Sequence, residues 1–118
     1  MIQTPPVEVV SFVRNYVNRW AFERFSQALA MAHSRGIYAR PTITSWWRSP
    51  AYNVQVGGAA RSQHQLGLAV DVAYQSAQDA DAAVRQGFGA GLVAVNEGDH
   101  VHFQAFPAGT VAWPREWY

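Results

Sequence analysis

Residues 68–73 read Leu-Ala-Val-Asp-Val-Ala, and no other stretch of the 118-residue chain limits its fold as tightly. Successive side chains of a strand point to opposite faces, so a strand here buries Leu68, Val70 and Val72 together. Asp71 then falls on the other face between Ala69 and Ala73, which leave open space around it. A carboxylate taken out of water without a partner is costly. The chain must therefore build a sheet with one apolar face and supply Asp71 with a partner on the other.

The rest of the pattern indicates what surrounds that strand. Prolines at 5 and 6 suit the first turn of a helix, and Val9, Val10, Phe12, Val13, Tyr16, Val17 and Trp20 recur at helical spacing. A second helical face follows in Phe22, Phe25, Leu29, Met31 and Ala32, with Gly36 as a suitable stop. Residues 5–35 thus read as one bent helix or two adjacent ones. Farther along, TITSWW (42–47) has strand character, RSPAYN (48–53) is a turn signal and QVGGAARSQ (55–63) a loop. LGLAVDVAY (66–74) is a strand, and SAQDADAAVRQG (76–87) a short helix with Gly87 near its end. GLVAV (91–95) is another strand, and NEGDH turns the chain into HVHFQAF before an aromatic tail, 107–118. Helices ahead of several short strands, with one helix between them, predict an α+β fold with a small antiparallel sheet. The whole reads as one domain.

Composition excludes more than it selects. An apolar content of 49% with 14% aromatic residues fits a globular protein. Nine basic residues against eight acidic leave a net charge of +1, without the basic footprint of nucleic-acid or membrane-surface binding. With no cysteine, neither disulfides nor thiolate metal sites are available. No run of 18 or more apolar residues offers a membrane span, and MIQTPPVEVV lacks the pattern of a secretory leader. The expectation is a soluble monomeric domain made without a leader of its own. Trp46, Trp47, Trp113 and Trp117 read as core or lid more readily than as a substrate platform.

Three segments carry most of the polar chemistry: Arg48; Ser62, His64 and Asp71; Asp99, His100 and His102. Each has an ordinary reading alone: a solvated turn arginine, a surface loop histidine, an exposed strand face opposite Val101 and Phe103. Ser62 serves equally as a turn residue or a hydrogen-bonding partner of substrate, and His33 reads as structural or exposed. Together they mean more. Neighbouring strands lie about 4.8 Å apart, so Asp71 and an imidazole from an adjacent strand can meet on one ion. His64, on the loop feeding the Asp71 strand, can reach back over the same face. Two imidazoles and a carboxylate with an open fourth position typify a catalytic Zn²⁺, held at roughly 2.0–2.2 Å per ligand. Spacing alone does not separate His100 from His102 as the second imidazole.

SQHQLGLAVDV resembles the Ser-x-His-x-x-Gly-x-Ala-x-Asp signature of the zinc D-alanyl-D-alanine peptidases, a group including D,D-carboxypeptidases, Van-type D,D-peptidases and phage endolysins that cut L-Ala-D-Glu bonds. DHVHF looks like the second motif of that family, and WWRSPAYN with GGAARSQH resembles the block leading into the first. The likeness spans roughly residues 40–106. It implies one Zn²⁺ held by His64, Asp71 and His102. It makes Asp99, three residues before the last ligand, the general base, with Glu97 the weaker candidate. His100 becomes a second catalytic group and Arg48 the residue that stabilises the oxyanion or holds substrate. Gly67 and Ala69 keep bulk away from the metal. On a regular strand Asp99 and His102 face opposite ways, so the NEGD turn must bend Asp99 back.

The implied activity is hydrolysis of an amide bond in the peptidoglycan stem peptide, as a carboxypeptidase or an endopeptidase. A short chain without a recognisable wall-binding segment suits a phage lysin, a virion-associated enzyme released by other means, or a domain excised from a longer protein. The fold of that family is shared with hedgehog-type signalling domains, which keeps a zinc-bearing binding module without turnover as the alternative. A metal nuclease is disfavoured by the near-neutral charge.

Overall fold

Two short strands that alternate apolar and polar residues pair at the centre of the protein. In the computed structural model, which describes residues 2–23, 25, 41–111 and 113, β2 (Ala69–Ala73) lies antiparallel to β4 (Val101–Gln104). Their register sets Val70 opposite Phe103, Asp71 opposite His102 and Val72 opposite Val101. β1 (Thr42–Ser45) and β3 (Val93–Asn96) close a four-stranded antiparallel sheet in the order β1-β2-β4-β3. A bulge between Ile43 and Ser45 sets Ser45 opposite Asp71. The predicted α+β class is the observed one.

One face of the sheet carries the core. Val70, Val72, Val101 and Phe103 pack with Ala80 and Ala83 of α3 (Ala77–Gly89) and with Leu92 and Ala94. Leu66 and Leu68 join Val13 and Ala21 in a second cluster beneath the N-terminal helix. Leu68, Val70 and Val72 are all buried, as their alternation requires, and so are Val101 and Phe103. No helix among the described residues is long and apolar enough to cross a membrane.

α3 runs to Gly89, and Gly87, near its end as expected, is a point of close approach. A Cβ there would meet Phe103 Cε1 at 2.9 Å and Ala94 Cβ at 3.1 Å. Gly87→Ala therefore sets a helix-propensity gain of about 1 kcal/mol against an overpacking cost of about 1–3 kcal/mol. Denaturant unfolding is expected to show a net loss of up to about 2 kcal/mol. Gly89→Ala, whose new methyl meets nothing within 4 Å, is expected to show none.

The N-terminal helix departs from its expected course. α1 (Val7–Phe12) starts at Pro6, whose carbonyl accepts from Val9 and Val10, then widens into a π turn over Val13–Val17. It stops at Asn18, whose side chain accepts from the Trp20 amide at 2.8 Å. The wider turn rotates later side chains off the buried stripe. Val9 and Val13 are buried, whereas Tyr16 is 71% and Trp20 61% exposed, contrary to the single apolar face expected. The chain is helical again over 21–23. The expectations for Leu29, Met31, Ala32, His33, Gly36 and Trp117 lie outside the described residues.

The expected turn at RSPAYN is instead the start of a helix, α2 (Pro50–Gln55). Ser49 Oγ accepts from the Tyr52 amide at 3.1 Å, and proline occupies the first turn. Ser-Pro signals a cap as well as a turn, and here the cap prevails.

Candidate metal centre

α3 covers one face of the sheet, and the alternation of β2 and β4 sends Asp71 and His102 to the other. Above them runs a 3₁₀ helix, Gln63–Leu66, which carries His64. Ser62 Oγ caps it by accepting from the His64 amide at 3.2 Å, and Gly67 closes it in the left-handed region at φ 70°. Gln63 ties it to the segment after β4, since its side-chain amide bonds both the carbonyl and the amide of Phe106. Gly67 is confined by Pro5, which a Cβ would meet at 2.8 Å, so its smallness serves turn and packing.

Three ligand-type atoms converge on one point. Asp71 Oδ1 lies 3.1 Å from His64 Nε2 and 3.0 Å from His102 Nδ1. The partners on the far side of each ring determine what those nitrogens offer. His64 Nδ1 donates to the Trp46 carbonyl at 2.6 Å. Gln104 Nε2 donates to the Phe106 carbonyl, which turns Gln104 Oε1 towards His102 Nε2 at 2.8 Å. Each imidazole thus meets an oxygen acceptor on both sides, while a neutral ring has one proton to give. A cation between His64 Nε2, His102 Nδ1 and Asp71 Oδ1 gives every lone pair a partner. The residues fit an ion, and the Trp46 carbonyl and Gln104 stand where the outer groups of a metal site hold its imidazoles in place.

Asp71 is 5% exposed, and its second oxygen is taken. Arg48 donates to Oδ2 at 2.9 Å, to Ser45 Oγ at 3.1 Å and to Asn53 Oδ1 at 3.4 Å. Burial by itself would raise the Asp71 carboxyl. Hydrogen bonds from His102 and His64, with the charge of those rings, outweigh it and hold the group well below the usual carboxylate range. Burial likewise works to lower the His102 imidazole, and its bond to Asp71 prevails, so it is raised above its ordinary value.

His100 immediately precedes β4 and joins the cluster from the rim. Its Nε2 lies 3.8 Å from Asp71 Oδ1 and 3.0 Å from Glu97 Oε1, and its Nδ1 lies 2.6 Å from Asp99 Oδ1. Burial would lower this ring too, but the bond to Asp99 and the surrounding carboxylates raise it. A cavity of about 650 Å³ opens over the cluster, reaching from Arg48 and Ser62 past His100 to Trp113.

Among protein families, Peptidase M15 matches residues 10–104, which take in Arg48, His64, Asp71, Glu97, Asp99, His100 and His102. The chain belongs to the peptidase M15 family. This is the zinc D-alanyl-D-alanine peptidase family of the sequence resemblance, and its members are metal-dependent. No curated protein and no solved structure matches the chain.

The M15 chain brings His64, Asp71, His102, His100 and Arg48 together and holds Asp99 away. The turn before β4 does contain Asp99, but the side chain is 90% exposed and bends outward instead of over the cluster. Ser62 acts as a cap, and it also lines the cavity. The indole N–H groups of Trp46 and Trp47 donate to the carbonyls of Gly67 and Gln65, so both tryptophans brace the segment around His64. Nothing in the sequence pattern singles out Asn53, yet it is buried and links Arg48 to the Ala59 carbonyl. Gln104 escapes notice too, though a polar residue two places after His102 on the same strand face is a readable signal.

Proposed function

We propose that this M15 peptidase holds one Zn²⁺ on His64, Asp71 and His102 and hydrolyses an amide bond in the stem peptide of peptidoglycan. The observation that carries this reading is the approach of His64 Nε2 and His102 Nδ1 to one carboxylate oxygen, with Arg48 occupying the other. Bound zinc supplies a Lewis acid that polarises the scissile carbonyl and makes the attacking water more acidic.

The chain's own residues do the rest. Arg48 keeps Asp71 turned with Oδ1 towards the imidazoles, and its charge faces the developing oxyanion at the cavity wall. His100, whose imidazole Asp99 and Glu97 flank, lines the same cavity and stands ready to donate a hydrogen bond to the oxyanion. The cavity volume lies within the range that encloses a small ligand. The stem peptide is chosen over other peptides on the likeness of SQHQLGLAVDV to the D-alanyl-D-alanine peptidases.

Digestion of purified peptidoglycan with and without a chelator, read by mass spectrometry beside metal analysis, tests the proposal. The expected result is zinc on the protein and chelator-sensitive release of terminal D-alanine or of a cut stem. A zinc-loaded protein that leaves every muropeptide intact rejects the reading in favour of a binding module.

A further inference from the structure

We infer that Glu97, and not Asp99, is the carboxylate that moves the proton in this cavity, an inference that rests on the peptidase reading above. The two carboxylates flank the same imidazole from opposite ends. Asp99 Oδ1 bonds His100 Nδ1, and its side chain is 90% exposed. Glu97 Oε1 bonds Nε2 at 3.0 Å, the nitrogen that also lies 3.8 Å from Asp71 Oδ1. The two nitrogens of an imidazole point in different directions, so a group on Nδ1 does not face what Nε2 faces.

The backbone explains the choice. The Glu97 amide donates to the His100 carbonyl at 2.8 Å, closing a turn with Gly98 at φ 98° on its corner. That closure returns Glu97 and His100 to one side and leaves Asp99 at the tip. Glu97 lines the cavity, and its carboxylate oxygen lies within 4.8 Å of ligand-type atoms of Asp71 and His100. Spacing from His102 selects Asp99, but the path of the turn selects Glu97.

In the reaction a water O–H bond breaks as its oxygen bonds the scissile carbonyl carbon, and Glu97 Oε accepts the proton. The C–N bond then breaks, and the proton passes from Glu97 to the departing amine, leaving a carboxylic acid and an amine. Asp99 is a positioning residue that steadies His100.

Glu97→Gln and Asp99→Asn, compared with wild type on the muropeptide that the wild type cleaves, decide the matter. Glu97→Gln is expected to lower kcat by about 10²–10⁴-fold with KM little changed. Its zinc content and its zinc-dependent rise in melting temperature should match the wild type. Asp99→Asn should lose at least roughly tenfold less in kcat. The reverse order of losses, or two fully active variants, overturns the inference while the peptidase reading stands. A Glu97→Gln protein without metal makes Glu97 a ligand and also overturns it. A wild type that cleaves nothing removes the peptidase reading, and the proton carrier falls with it.

Discussion

The His64→Ala protein is expected to be purified without metal and without hydrolytic activity, while the wild type treated identically carries an ion. His64 is 1% exposed, and its Nε2 is one of the three groups aimed at the common point. Removing it leaves one imidazole and one carboxylate, too few to hold zinc against water. Folding should survive, since the backbone bonds around position 64, from the Arg48 and Gly67 amides to its carbonyl, do not involve the ring. The Trp46 carbonyl loses its donor, a cost of about 1–3 kcal/mol in the metal-free state. Thermal melts distinguish that loss from the loss of the ion. Free zinc at about 1,000 times its Kd adds roughly 4 kcal/mol to a protein that binds it only when folded. The wild type should show that rise and the variant should not. A variant that keeps its zinc removes His64 from the ligand set.

Arg48→Met is expected to cost about 3–5 kcal/mol of metal-free stability, the range for breaking a buried ion pair on one side. Both partners are largely shielded, with side-chain exposures of 15% for Arg48 and 7% for Asp71. Methionine fills much of the space but returns no donor to Asp71 Oδ2, Ser45 Oγ or Asn53 Oδ1. The loss should shrink when zinc is present, because the ion brings positive charge to the same carboxylate. Urea unfolding of both forms with and without zinc measures the difference. An equal loss in both means that Arg48 acts through packing and not through Asp71.

What the sequence revealed, and what it hid, follows from how far apart the interacting residues lie. The alternation of Leu68, Val70 and Val72 is local, so the strand and its buried face are readable directly. The same holds for Val101 and Phe103 beside His102. The pairing of Asp71 with His102 joins residues far apart in the chain, and the family motif anticipates it where periodicity does not. Ser49-Pro50 carries two local meanings, and the hydrogen bond from Tyr52 decides between them. The π turn at Val13–Val17 leaves no mark in the side-chain pattern, which is why Tyr16 and Trp20 were expected on the buried stripe. Asn53 is buried by contacts from Arg48 and Ala59, and no neighbour in sequence announces that. In NEGDH two acidic side chains sit two residues apart, and only the closure of the turn reveals which one enters the cavity.

The register of the two central strands has one more consequence. Strand side chains alternate, so pairing β2 and β4 one residue out of step would leave Asp71 opposite Val101 or Phe103 instead of His102. Such a chain would split its ligands between the two sides of the sheet, burying a carboxylate among apolar groups or stranding an imidazole. With the proposed ligand set, metal uptake would therefore discriminate between alignments, because a one-residue slip would carry Asp71 away from His102.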